Sequence, residues 1–124
     1  MIGIGTDIVE IRRVKRVWER QGTRFAVRIL TATELARMEA KSEPWRFLAK
    51  RFSAKEAIAK AFGCGIGGSL RWHDIDIASV ASGRPIVNLS DSARSLAQDL
   101  GGREVLLSIS DEREYAVAFA ALIP

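Results

Sequence analysis

The segment from Pro44 to Phe62 constrains this chain more than any other. Proline suits the first turn of a helix, where its missing N–H is not needed, and no further proline or glycine follows until Gly63. Gly63-Cys64-Gly65-Ile66-Gly67-Gly68 then stops the helix. A long central helix is therefore predicted, and the rest of the chain has to cover it. On its N-terminal side, Ile2, Ile4 and Ile8 alternate with small or polar residues, which suggests a short strand ending near Asp7. Val14, Val17 and Trp18 have helical spacing, and Thr31 with Glu34 forms a possible capping box for a helix to about Lys41. On its C-terminal side the period becomes two. Asp74 to Val80 alternates as a strand, Ser82-Gly83-Arg84-Pro85 is a turn, and Ile86 to Leu89 pairs back. Ser90 or Asp91 can cap a helix ending at Gly101-Gly102, and strands follow over Glu104–Ser110 and Tyr115–Ile123. The last is apolar on both faces, so burial on both sides is expected, with another subunit a candidate for part of the cover. The order β-ααα-ββ-α-ββ predicts an α+β fold. It is a single small domain over 1–124, its largely antiparallel sheet packed with one long and several shorter helices.

Composition narrows the class. With 48% hydrophobic and 27% charged residues the chain is globular. No run approaches the roughly 18 apolar residues that span a bilayer. The first residues lack a basic stretch and do not read as a signal peptide. Cys64 is the only cysteine, so no internal disulfide forms, and a cytoplasmic location is expected. Charge is uneven. Residues 1–62 carry 14 Lys and Arg against 7 Asp and Glu, whereas residues 63–124 carry 5 against 8. Arg12, Arg13, Lys15, Arg16, Arg20, Arg24 and Arg28 fall close together with only Glu19 among them, a patch suited to an anionic partner. The plainer reading is a solvated helix face.

Glu56 carries the strongest chemical signal. At 100° per residue it projects with Trp45, Ala49, Phe52 and Ala59, a stripe that should be buried. A buried carboxylate needs a cation or a proton. A pair with Lys60 is the ordinary explanation, though such pairs belong more naturally on exposed faces. Asp7, at the end of an apolar strand, can emerge into a cleft or cap the next helix. Two carboxylates on separate elements suit Mg²⁺, which takes few protein oxygens and completes its shell with water and phosphate. Lys55 and Lys60 flank Glu56 and would add positive charge for the same phosphates. The glycine run follows a helix, unlike phosphate loops placed between strand and helix, so helix termination is its expected role. His73 has no evident partner and reads as structural, and Asp74 with Asp76 reads as a solvated strand face.

Together these residues resemble a known family. Gly3-Ile4-Gly5-Thr6-Asp7-Ile8-Val9-Glu10-Ile11 is similar to the opening motif of holo-acyl-carrier-protein synthases, the small bacterial phosphopantetheinyl transferases. Arg24-Phe25-Ala26-Val27-Arg28-Ile29-Leu30-Thr31 resembles their second block, and Phe47 to Gly63, with Lys55-Glu56-Ala57-Ile58-Ala59-Lys60-Ala61, their signature helix. Gly83-Arg84-Pro85 and Leu107-Ser108-Ile109-Ser110 match two later blocks. The resemblance implies transfer of the 4′-phosphopantetheine arm of coenzyme A to a serine of an acyl carrier protein, in support of fatty acid biosynthesis. It implies Mg²⁺ on Asp7 and Glu56, with Glu56 also a candidate for the serine proton and Lys60 neutralising the phosphate. Gly65, Pro85 and Ser110 become coenzyme contacts, beside Lys55 and Lys60. Arg13, Arg24, Phe25 and Arg28 become docking positions for the acidic carrier. A homotrimer with active sites between subunits is implied, with neither nucleic acid nor membrane as partner. One position departs from the pattern: many relatives carry a coenzyme-binding histidine where this chain has Asp111, and no binding role is carried onto it. Two rivals are a small basic nucleic-acid-binding domain, suggested by a pI of about 9.7, and an inactive carrier-binding protein of the same fold.

Overall fold

The computed structural model describes residues 2–124. Strand β1 (Gly3–Glu10) leads into four helices, α1 (Ile11–Gln21), α2 (Thr23–Ile29), α3 (Ala32–Glu39) and α4 (Pro44–Ala61). A 3-10 turn at Trp72–Asp74 precedes strands β2 (Ile75–Ser79) and β3 (Pro85–Leu89), then α5 (Asp91–Asp99), β4 (Glu104–Asp111) and β5 (Tyr115–Ile123). The α+β architecture is the expected one, with one helix more than the sequence pattern suggests. Gly22 makes the difference: at φ +60° it closes α1, its N–H bonding the Trp18 carbonyl, and lets α2 set off in a new direction. The Thr31–Glu34 capping box and the Ser90 cap are both present.

The strands form two antiparallel sheets, one ordered β1-β5-β4 and one made of β2 and β3. Alternation along the first sheet turns Gly3, Gly5 and Asp7 towards α4, as it does Ala116, Ala118 and Ala120 of β5, which are buried. Small residues on both sides allow an unusually close approach. A side chain at Gly5 would run into the Ala57 carbonyl oxygen and stand 2.7 Å from the Ala61 nitrogen. Glycine here is a packing requirement, and Gly5→Ala should cost about 3 kcal/mol by overpacking backbone against backbone. The unfolding midpoint in chemical denaturation checks this.

One expectation needs correction. Strand β1 does not end at Asp7 but continues to Glu10, so Asp7 sits mid-strand opposite Ala118; the residue preceding α1 is Glu10, and Asp7 caps nothing. Strand β5, expected to be buried on both faces with another subunit as part of the cover, is covered on one face within this chain. Its other face presents Val117 and Phe119, 37% and 47% exposed, beside Ile4 and Ile8 of β1 and Leu106 of β4, which are exposed by half or more. Within one copy of the chain nothing covers them.

Candidate active site

Strand β1 and helix α4 cross where both backbones are closest, and this places Asp7 beside Glu56. The two carboxylates line one cavity of about 360 Å³, with Arg13, Val14 and Val17 of α1, Phe25 of α2 and Phe52 of α4 on its other walls. Glu56 is half-buried, as its apolar stripe suggested. Burial pushes its carboxyl above the ordinary range, the negative charge of Asp7 pushes it further, and Lys60 pulls it back. The Lys60 ammonium does not close a simple helical pair with Glu56. It reaches across to β1, donating to the Thr6 carbonyl at 2.9 Å and to Asp7 Oδ1 at 3.2 Å. Its side chain stays about half exposed, so its remaining donor faces solvent and any anion that arrives.

Lys55 belongs elsewhere. Its side chain is fully buried, donating to the Ile29 carbonyl and Glu34 Oε1 at 2.7 Å each and to the Trp72 carbonyl at 3.1 Å. One residue before Glu56 on α4, it points about 100° away, into the space between α2, α3 and the 3-10 turn. The expectation that it contacts the coenzyme is therefore corrected: it has no surface to offer.

A second cavity of about 360 Å³ lies along the first turns of α4, lined by Lys41, Arg46, Phe47, Lys50, Arg51, Gly83, Pro85 and Ile109, with Glu43 as its one acid. Pro85 is thus in a basic pocket. Arg51 is nearly buried with its guanidinium over the Phe47 ring at 4.5 Å, and its Nε has no hydrogen-bond partner. Sequence reasoning passed over Arg46, Lys50 and Arg51, although the i,i+4 spacing of Arg46 and Lys50 puts both on one face. Ser110 and Gly65 are exposed and line neither cavity; Ser110 lies on the outer face of the sheet, whereas Ile109 turns inward.

Arg13 and Phe25 meet at the Asp7–Glu56 cavity, and Arg24 and Arg28 are exposed on α2 beside it. His73 bonds the Val27 carbonyl at 2.8 Å, a structural tie. Asp74 and Asp76 are not a solvated face. Asp74 accepts from the Arg71 N–H and the Ser90 hydroxyl, and Asp76 accepts from the Thr31 hydroxyl.

The donor set fits Mg²⁺. Two half-buried carboxylates face one cavity and repel each other, a situation that a hard cation relieves. Among the described residues no cluster of three or more His, Cys, Asp or Glu gathers, so any ion here would keep most of its shell for water and substrate.

Known proteins share this arrangement of sequence and fold. The model of the 4′-phosphopantetheinyl transferase superfamily matches residues 3–120. The chain is 51% identical over 122 residues to the holo-[acyl-carrier-protein] synthase of Shewanella amazonensis, covering 98% of each chain. It is 48% identical to that of Vibrio cholerae, over 98% of this chain and 97% of the other. The crystal structure of the Neisseria meningitidis holo-[acyl-carrier-protein] synthase superposes with a TM-score of 0.93 at 40% identity, over 100% of this chain and 99% of that one. The Helicobacter pylori enzyme, solved in complex with coenzyme A, gives 0.84 at 29% identity, over 96% and 98%. On the match across residues 3–120, and on relatives about half identical over nearly their whole length, this chain belongs to the 4′-phosphopantetheinyl transferase superfamily.

Proposed function

We infer that this chain transfers the 4′-phosphopantetheine group of coenzyme A to a serine hydroxyl of an acyl carrier protein, releasing adenosine 3′,5′-bisphosphate. The carrying observation is the Asp7–Glu56 cavity, with Lys60 at its carboxylate end and the basic α1–α2 segment as its far wall. Such a site has charges to bind and orient a phosphate and a hydroxyl but no nucleophile of its own, which suits a reaction whose nucleophile arrives on the partner. Residues 1–124 act as one transferase domain. A nucleic-acid role leaves Asp7 and Glu56 without purpose and is set aside.

In the reaction the serine oxygen attacks the phosphorus bearing the pantetheine arm, the bond to the second phosphate breaks, and the hydroxyl proton passes to a base. Glu56 is that base or holds the group that acts as it, because its carboxylate faces the cavity together with Asp7. Lys60, half exposed with a donor to spare, would neutralise the charge that the phosphate oxygens gain. Asp7 and Glu56 would hold Mg²⁺, which when bound supplies charge neutralisation to the diphosphate. The cation-lined cavity at Pro85 receives the adenosine bisphosphate end of the coenzyme. Ser110, exposed on the outer sheet face, and Gly65 serve a site shared with a neighbouring subunit. That neighbour covers Ile4, Ile8, Leu106, Val117 and Phe119, a contiguous apolar face that water would otherwise meet. The resemblance makes the assembly a homotrimer. A cytoplasmic setting and a role in fatty acid biosynthesis complete the reading; among the described residues no helix is long and apolar enough to cross a membrane.

The test is intact mass spectrometry of an apo acyl carrier protein incubated with this chain, coenzyme A and Mg²⁺. A gain of one phosphopantetheine, abolished by EDTA, is expected. An unchanged mass with a carrier that a proven transferase modifies would defeat the reading. The docking assignment of Arg13, Arg24, Phe25 and Arg28 makes a separate prediction. Arg24→Glu/Arg28→Glu should raise the KM for the carrier by about tenfold or more at low salt, with the KM for coenzyme A unchanged. Equal shifts in both constants would remove these arginines from docking.

A further inference from the structure

Asp111 closes strand β4 beside the cation-lined cavity, where an acid lowers the potential that would attract an anion. Its surroundings explain the choice. Asp111 Oδ2 accepts from Arg46 Nη1 at 3.1 Å, and Oδ1 stands 3.5 Å from Lys50 Nζ. Arg46 also donates to the Glu112 carbonyl at 2.7 Å, to the Arg113 carbonyl at 3.3 Å and to Glu43 Oε2 at 3.2 Å. The three side chains are only 26–33% exposed, so the contacts are partly shielded from water. Arg46 and Lys50 both line the cavity, and Lys50, with three N–H donors and only the long contact to Asp111, keeps donors for another acceptor. A carboxylate that holds two long, flexible cations in place before a ligand arrives removes part of the ordering cost of binding.

We propose that Asp111 is a positioning residue for the coenzyme: it fixes Arg46 and Lys50 at the rim of this cavity, and those two cations, not Asp111, contact a phosphate of the bound coenzyme. This rests on the reading of the cavity as the adenosine bisphosphate site. The aspartate thus supplies through two cations what a basic residue at its own position would supply directly.

The experiment is calorimetric titration of coenzyme A into the full chain without carrier, with melting temperatures and both KM values recorded. Asp111→Ala should weaken coenzyme A binding about tenfold. Asp111→Asn should weaken it less, because an amide oxygen still accepts from Arg46. The KM for the carrier should not move. Tighter binding in Asp111→Ala would make the acid a repulsive element and overturn the proposal. Rises in both KM values with a fallen melting temperature would do the same, by showing a general loosening of the β4–β5 turn. Lys50→Ala and Arg46→Met separate the levels. If they weaken binding and Asp111→Ala does not, only the positioning role fails. If neither weakens it, the cavity is not the coenzyme site.

Discussion

Glu56→Gln should abolish transfer and, at the same time, raise the melting temperature of the metal-free protein at neutral pH. Both effects come from one carboxylate. The folded state raises the proton affinity of Glu56 by burying it and by placing Asp7 alongside, with Lys60 only partly compensating. A carboxyl whose folded pKa lies above its unfolded value binds protons more tightly when folded. Its contribution to stability is therefore most favourable on the acid side and diminishes as pH rises through the shifted value. At neutral pH the ionised group is a standing penalty, and glutamine removes it with little change in shape. The melting-temperature advantage of Glu56→Gln in EDTA should be clear at neutral pH and should shrink as the pH falls and the parent carboxyl takes up its proton. Transfer should fall by about 10³-fold or more, because glutamine neither accepts a proton nor offers a charged ligand. Asp7→Asn is the instructive contrast. It should also lose activity but gain no stability, since it strips Lys60 of its ion-pair partner. A lower melting temperature for Glu56→Gln at neutral pH would show that the two carboxylates do not strain the fold.

How much of this was legible in the sequence depends on the range of the interaction. Asp7 and Glu56 were readable because each breaks a local pattern, a carboxylate on an apolar strand or helix face, and periodicity needs no knowledge of the partner. The capping box and the Pro44 start were readable because caps involve residues three or four apart. Lys55 was misjudged for the opposite reason. Helical spacing gives the direction in which a residue points, but only the folded chain brings Glu34 and the Ile29 carbonyl, more than twenty residues away, to meet it. The Arg46–Lys50–Asp111 cluster was missed likewise, since Asp111 lies some sixty residues along the chain from the other two. Separation of the strands into two sheets follows from the crossover of β1 to pair with β5, a long-range choice that alternation alone does not encode. Helix α2 escaped notice because its signal is a single glycine taking a positive φ.

The buried pair of Lys55 and Glu34 carries the largest expected effect on stability. Lys55 and Glu34 are wholly withdrawn from water, and every donor and acceptor in the cluster has a use. Glu34 Oε1 accepts from Lys55 and from the Thr31 N–H, and Oε2 accepts from the Ile77 N–H at 2.8 Å. Lys55 adds the Ile29 and Trp72 carbonyls. One ion pair thus ties the end of α2, the cap of α3, the 3-10 turn and β2 to α4. Burial pushes the Lys55 ammonium towards its neutral form and Glu34 holds it back, so the charge depends on the carboxylate beside it. Lys55→Met should cost about 3–5 kcal/mol, the typical penalty for leaving one member of a buried pair uncompensated, and Glu34→Leu about as much. In a domain of this size that is a fall of roughly 10–20 °C in melting temperature. The double variant separates a simple pair from a network. Its loss should be smaller than the sum of the two single losses, because no lone charge remains buried. It should still fall well short of the parent, because the Thr31 and Ile77 N–H groups and two carbonyls are left without partners. Full recovery in the double variant, read from denaturant unfolding, would mean that the backbone groups contribute nothing and that the pair is an isolated charge contact. Incomplete recovery would make these two side chains the joint that holds α2 and α3 on the helix bearing Glu56.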